Sequence, residues 1–233
     1  MSLRDRQVDL YSRQIILREL GGTGQRKLLS ARCALAGGGP ALATVATYLA
    51  GAGVGRIDLR RDARAPRAAT EPDAMAWAEL ATRSPDVALG VIEPDATRSA
   101  TYDAVVLADV AESARAVLDG LGFPRRGEVA IRRGGSAVDL LIAPRGDGCL
   151  ACLAVAGEPS DARSPEAAPR GGGAGYDTIA LALAGAMAAL VVCRWVAEIE
   201  PDRAARALRL APGDAAWRDV PIARAACPRG CSR

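Results

Sequence analysis

Two cysteine pairs carry the sharpest chemical signature in this chain: Cys149-Leu150-Ala151-Cys152 and Cys227-Pro228-Arg229-Gly230-Cys231. Each has the short spacing of a thiolate knuckle, and four thiolates give a zinc ion a closed tetrahedral shell, which is structural and not catalytic. Cys149, Cys152, Cys227 and Cys231 are therefore the expected zinc ligands, stapling the end of the chain to its body. In a reducing compartment, paired cysteines signal metal or catalysis before disulfides. Cys33 and Cys193 fall in a short apolar strand and an apolar helix, and read as core residues. The chain has no histidine, which removes His-dependent triads and His metal ligands.

The second chemical feature is Gly37-Gly38-Gly39-Pro40, between the apolar run Arg32 to Ala36 and an Ala-rich helix ending near Ala50. Strand, glycine cluster and helix make the first unit of a nucleotide-binding fold, in which glycines let backbone N–H groups approach phosphate. Gly37 and Gly39 are the candidate loop glycines. Pro40 has no N–H to donate, and Leu42 stands where a third glycine is usual, placed to crowd a phosphate or the neighbouring strand. At the end of the second strand, where such folds put an acid for the ribose hydroxyls, the sequence has Arg60-Arg61-Asp62. Asp62 is the candidate acid. The two arginines would also suit a 2′-phosphate, so NADP binding stays open, as does a strand–turn–helix that binds nothing.

These features need a frame, and the hydrophobic pattern supplies one. Helical spacing over residues 4–20 predicts an N-terminal helix, with Gly21, Gly22 and Gly24 ending it and a short turn over Gln25 to Ser30. Strands are expected at Arg56–Arg60, Val87–Ile92 and Ala104–Ala108, and helices at Asp73–Arg83 and Glu112–Leu121. That alternation implies a parallel, doubly wound sheet. Val129–Arg133 and Val138–Ala143 flank a Gly-Gly-Ser turn and read as a hairpin. Residues 156–175 read as a flexible loop, Thr178–Ile199 as a helix, and Ala207–Leu210 and Trp217–Ile222 as two closing strands. The chain is expected to be one domain over 1–233: a helical segment to residue 30, a nucleotide-type core over 31–125, and an extension over 126–233.

Composition narrows the function. The chain has 233 residues, a net charge of +3 and one Phe, three Trp and four Tyr. A core of Ala, Leu and Val follows, and the scarcity of aromatic platforms argues against nucleic-acid binding. Residues 1–20 are charged throughout, so no export signal is expected and the protein is expected in the cytoplasm. The longest apolar stretch, Ile179 to Val192, is roughly 14 residues, short for a bilayer, so a buried helix and no membrane are expected.

Tyr11-Ser12-Arg13-Gln14-Ile15, Gly24-Gln25-Arg26-Lys27-Leu28-Leu29, the stretch Tyr48 to Ile57, Asp147-Gly148-Cys149-Leu150-Ala151-Cys152 and the final cysteine pair together resemble the ThiF/MoeB/HesA family, bacterial E1-like activating enzymes. The resemblance runs nearly end to end. It implies a Rossmann-like, doubly wound, mostly parallel sheet with N-terminal helices and a zinc-stapled antiparallel extension. It also implies a dimer that uses MgATP to adenylate the C-terminal carboxylate of a small β-grasp carrier protein, with an opening-segment arginine reaching into the partner's site. Arg13 matches that arginine, and Gly37 and Gly39 match loop glycines.

Other parts of the family's machinery lack counterparts. Arg61 falls at the ribose-acid position, the S-N-x-x-R-Q stretch is missing from Ala63 to Thr70, and no lysine follows Lys27. The Mg-linked aspartate maps near Ala111, leaving Asp109 as the nearest acid. Phosphoryl charge is stabilised through such contacts. The expectation is thus a degenerate, non-catalytic subunit or carrier-binding module, as a homodimer or with an active paralogue. The alternatives are a working adenylyltransferase with rebuilt contacts and, more remotely, an NADP-binding protein.

Overall fold

Short apolar strands separated by helices can bury both faces only if helices cover the sheet on two sides. The computed structural model builds this arrangement and describes residues 2–60, 74–93, 101–109, 114–134, 137–155, 174–199, 204–211, 216–227 and 230. The strands are β1 (Arg32–Gly37), β2 (Arg56–Arg60), β3 (Ala88–Ile92), β4 (Ala104–Ala108), β5 (Gly127–Gly134), β6 (Ala137–Pro144), β7 (Leu153–Val155), β8 (Arg206–Leu210), β9 (Arg218–Val220) and β10 (Ile222–Arg224). The main sheet has the order β3-β2-β1-β4-β5-β6-β8-β9. It is parallel from β3 to β5 and antiparallel from β5 to β9. β7 and β10 pair antiparallel in a separate small sheet.

The helices are α1 (Asp5–Leu10), α2 (Ser12–Ile15), α3 (Gly21–Ser30), α4 (Gly39–Gly51), α5 (Ala74–Arg83), α6 (Ala114–Leu121) and α7 (Ala174–Ala197). Strand alternation divides the core. Cys33, Leu35, Ile57, Val106 and Val129 pack with Val45 and Leu49 of α4 and Leu181 and Val192 of α7. Ala34, Ala36, Val105 and Leu107 pack on the other face with Val117 and Leu118 of α6 and with Cys149 and Cys152.

Several expectations are corrected. Gly21 and Gly24 do not end a helix but lie in α3, and the N-terminal segment is two short helices. Gly24 is needed for close approach: a Cβ there would lie 2.7 Å from Leu20 Cδ1 and 3.4 Å from Ala197 of α7. Trp217–Ile222 is not one strand; it splits at Pro221 into β9 and β10, because proline cannot supply the ladder N–H. The apolar run was also undercounted. Thr178–Ala197 is long and apolar enough to cross a membrane by length and composition, with a mean hydropathy of 2.1. In the fold it lies against α4, β5 and β6, as the core helix of a globular domain does. Of the expected flexible loop over residues 156–175, residues 156–173 lie outside the described residues and 174–175 open α7.

Candidate functional site

In a parallel sheet of order 3-2-1-4-5, the chain reverses its winding between β1 and β4, and ligands bind outside the carboxyl ends of those strands. The structure places Gly37, Gly38 and Gly39 at the end of β1 and Asp109 at the end of β4. Gly37 (φ 112°) and Gly39 (φ 74°) adopt backbone that side chains disfavour, which aims the chain from the strand into α4. Of the four backbone positions that open the helix, Gly38 donates its N–H to Ala108 O at 3.0 Å and Pro40 has none. Gly39 and Ala41 are left as donors for an anion. Pro40 costs the helix nothing, since it sits in the first turn. Of the two neighbours that Leu42 was expected to crowd, a phosphate or the adjacent strand, its side chain is on the strand side, buried in the core with Val45, Leu49 and Leu35.

Asp109 is held in left-handed backbone at φ 46°, an uncommon conformation that aspartate tolerates better than most residues. Its Oδ2 lies 3.5 Å from Arg133 Nε and 3.8 Å from where a Cβ on Gly39 would stand. Burial raises the Asp109 carboxyl above its ordinary value, and the Arg133 charge pulls it back. Arg133, at the end of β5, was not legible as a site residue, because one arginine pair beside a Gly-Gly turn looks like ordinary surface. Arg60 is buried beside Gly120 of α6, with Nε 3.6 Å from where a Cβ would stand. Asp62 and Arg61 lie outside the described residues.

The cysteine centre sits on the α6 face of the sheet. Sγ of Cys149 is 3.9 Å from that of Cys152 and 3.6 Å from that of Cys227, and the three sulfurs lie within 4.8 Å of one another. Disulfides need about 2.05 Å between sulfurs, so these are free thiols. Four thiolates at about 2.3 Å from a zinc ion would stand about 3.8 Å apart, so the spacing fits a tetrahedral metal. Surrounding contacts hold the centre in shape. Cys149 N–H donates to Cys152 Sγ at 3.3 Å, Leu150 N–H to buried Glu128 at 2.9 Å, and Arg224 of β10 to both Asp147 carboxylate oxygens. Arg224, first, and the Ala205 N–H hold the Asp147 carboxyl below its usual range. Cys231 lies outside the described residues. Cys33 and Cys193 are core residues as expected, and burial pushes the Cys193 thiol up to about 12.

Arg13 is exposed on α2, at the far end of α4 from the glycine loop. The neighbouring Gln14 donates to Gly51 O at 3.3 Å, at the last residue of α4. The 13 residues of α4 separate that contact from Gly39, a rise of roughly 18 Å at 1.5 Å per residue.

No family model matches the chain. The sulfur carrier protein ThiS adenylyltransferase of Escherichia coli is 29% identical over 251 aligned positions, which cover 97% of this chain and 96% of that protein. The SAMP-activating enzyme E1 of Haloferax volcanii is 46% identical over 57 residues, 24% of this chain and 21% of that protein. Among solved structures, E. coli MccB with AMPCPP and MccA superposes with a TM-score of 0.67 at 15% identity, covering 97% of this chain and 74% of that one. The full-length match, the local matches and the shared fold agree. These matches support the ThiF/MoeB family as what the chain is similar to. The crevice between β1 and β4 presents two backbone donors and an acid–arginine pair.

Proposed function

We propose that this chain is an E1-like subunit that handles the C-terminal tail of a small β-grasp carrier, of the sulfur-carrier or ubiquitin-like kind, without activating it alone. One observation carries the reading. Gln14, beside Arg13, is docked at one end of α4 and the glycine loop opens the other, which supports a reading in which exposed Arg13 serves a second subunit and not its own loop. The cis loop, meanwhile, lacks the Pro40 donor, and Gly38 has spent its own on Ala108. The partner is a second copy or an active paralogue. Exposed Ile16, Tyr48, Ile179, Leu183 and Leu190 supply apolar surface for such a partner.

Cys149, Cys152, Cys227 and Cys231 hold a zinc ion in this reading, and the ion cross-links the tail to the sheet without touching substrate. A compartment that keeps thiols reduced, the cytoplasm, suits that centre.

ATP–pyrophosphate exchange tests the proposal. The chain alone should be silent with a carrier peptide and MgATP. Added to an adenylating paralogue, it should raise adenylate formation, and Arg13→Ala should abolish the gain. Exchange by the chain alone would instead establish the second reading, a working adenylyltransferase. Asp109 and Arg133 at the crevice favour that reading, because they could replace lost phosphoryl contacts. The NADP reading rests on Arg60, which is buried beside α6, and on Arg61, outside the described residues.

A further inference from the structure

Residues 5–17 meet the rest of the domain in an unusual way. Val8, Leu10, Ile16 and Leu17 face outward, at 43%, 49%, 80% and 53% exposure, while Tyr11 and Gln7 turn inward. Buried Tyr11 and the Gln14 bond to Gly51 hold part of this segment. Its charged start is held by Asp86, in the turn between α5 and β3. Its Oδ1 accepts from Arg6 at 2.7 Å, Arg4 at 3.1 Å and Gln7 at 3.2 Å. The Asp86 side chain is only 2% exposed, whereas those of Arg4 and Arg6 are 71% and 57% exposed. The turn that carries Asp86 closes through backbone alone, Val87 N–H to Ser84 O, so this carboxylate is not occupied with its own loop. Its second oxygen and the Tyr11 hydroxyl are both buried, and neither makes a hydrogen bond among the described residues.

We infer that Asp86 is the positioning residue that docks the N-terminal segment and thereby sets where Arg13 is presented. A surface ion pair alone stabilises little. A buried carboxylate stripped of its partners is costly, so detaching Arg4, Arg6 and Gln7 together is disfavoured. Buried Tyr11 joins α1 to α2, and Arg13 lies two residues beyond it at the start of α2. The contacts span 79 to 82 residues of sequence. They join the segment to the β3 side of the sheet, remote from the glycine loop. Asp86 therefore acts through Arg13 and touches no reacting atom. The inference rests on the proposed role of Arg13 for its effect on adenylation, but not for the docking itself.

Hydrogen exchange on the full chain tests the docking. In Asp86→Asn, amides of residues 5–15 should exchange at least tenfold faster, with β1 and β4 unchanged. The Arg4→Ala/Arg6→Ala double variant alters only exposed side chains, keeps the core intact should Asp86→Asn fail to fold, and should give the same result. Unchanged protection of residues 5–15 in the folded variants overturns the inference. In the mixed adenylation assay, both should lower the stimulated rate toward that of Arg13→Ala while leaving the half-saturating ATP concentration in place. A loosened segment with a full stimulated rate overturns the positioning role. A loosened segment with Arg13→Ala itself inert supports the dock and retires the functional reading.

Discussion

Cys149 and Cys227, 78 residues apart in sequence, bring their sulfurs to 3.6 Å. Backbone pairing prepares that meeting: β10 lies against β7, and Arg224 grips Asp147 two residues before Cys149. The tail is therefore led to the knuckle by hydrogen bonds, and the metal would lock it. Metal analysis of the purified chain should give one zinc ion per chain, and Cys227→Ser should abolish it. The variant should unfold about 2–5 kcal/mol more easily, in the range for losing a native cross-link. A metal-free protein with all its thiols open to alkylation would remove the zinc centre.

Gly185 of α7 has Ala41 O 2.5 Å from where its Cβ would be, and Thr44 Cβ at 2.9 Å. No flexible side-chain end is there to give way, so the two helices meet backbone to backbone. Gly185→Ala should push α7 off α4 and cost about 1–3 kcal/mol by overpacking. Because Ala41 is a remaining loop donor, the shift should also reach the crevice. Denaturant melts check the first effect; a loss below about 0.5 kcal/mol would mean that the helices slide apart freely.

Asp109 ties stability to pH at the crevice. The folded chain holds its proton more tightly than the unfolded one, because burial raises the carboxyl above 3.8 and outweighs Arg133. Its contribution is therefore fully present below that ordinary value and lost as pH rises through the raised one. Asp109→Asn keeps a residue that accepts the left-handed backbone and removes the titration. Relative to the wild type, the variant should gain stability as pH climbs from 4 to 7. A constant difference across that range would show that Arg133 compensates the charge in full.

The frame of this protein was legible because its strands are short, apolar and separated by helices. β2 and β4 lie where the pattern puts them, residue for residue. The spacing of Cys149 and Cys152 also marked a pair that the fold brings to Cys227. What escaped was whatever depends on distant partners. β7 and β10 have three residues each and exist only as a pair. For Leu42 the pattern left phosphate and strand both open, and the fold turns it into the core. Asp86 looks like any turn aspartate until the fold brings Arg4, Arg6 and Gln7 to it. Asp109 was named only as the nearest acid, and its arginine, on a strand 24 residues later, left no mark in the pattern.

The glycine loop itself can be repaired, which makes its defect testable. Pro40 occupies the first turn of α4, where an N–H would be free of the helix and aimed at the crevice. Pro40→Ala restores that donor without breaking any helical bond. It should cost the fold only about 0.4–1 kcal/mol through the freer unfolded chain. A hydrogen bond to a charged group contributes about 1.5–3 kcal/mol, so pyrophosphate or ATP should bind at least about tenfold tighter by calorimetry. Gly38 would remain committed to Ala108, so the gain belongs to the one restored amide. If affinity does not move, missing donors are not what limits the loop. Asp109→Asn would then ask whether the Asp109 carboxylate, close to Gly39, repels phosphate from the helix end.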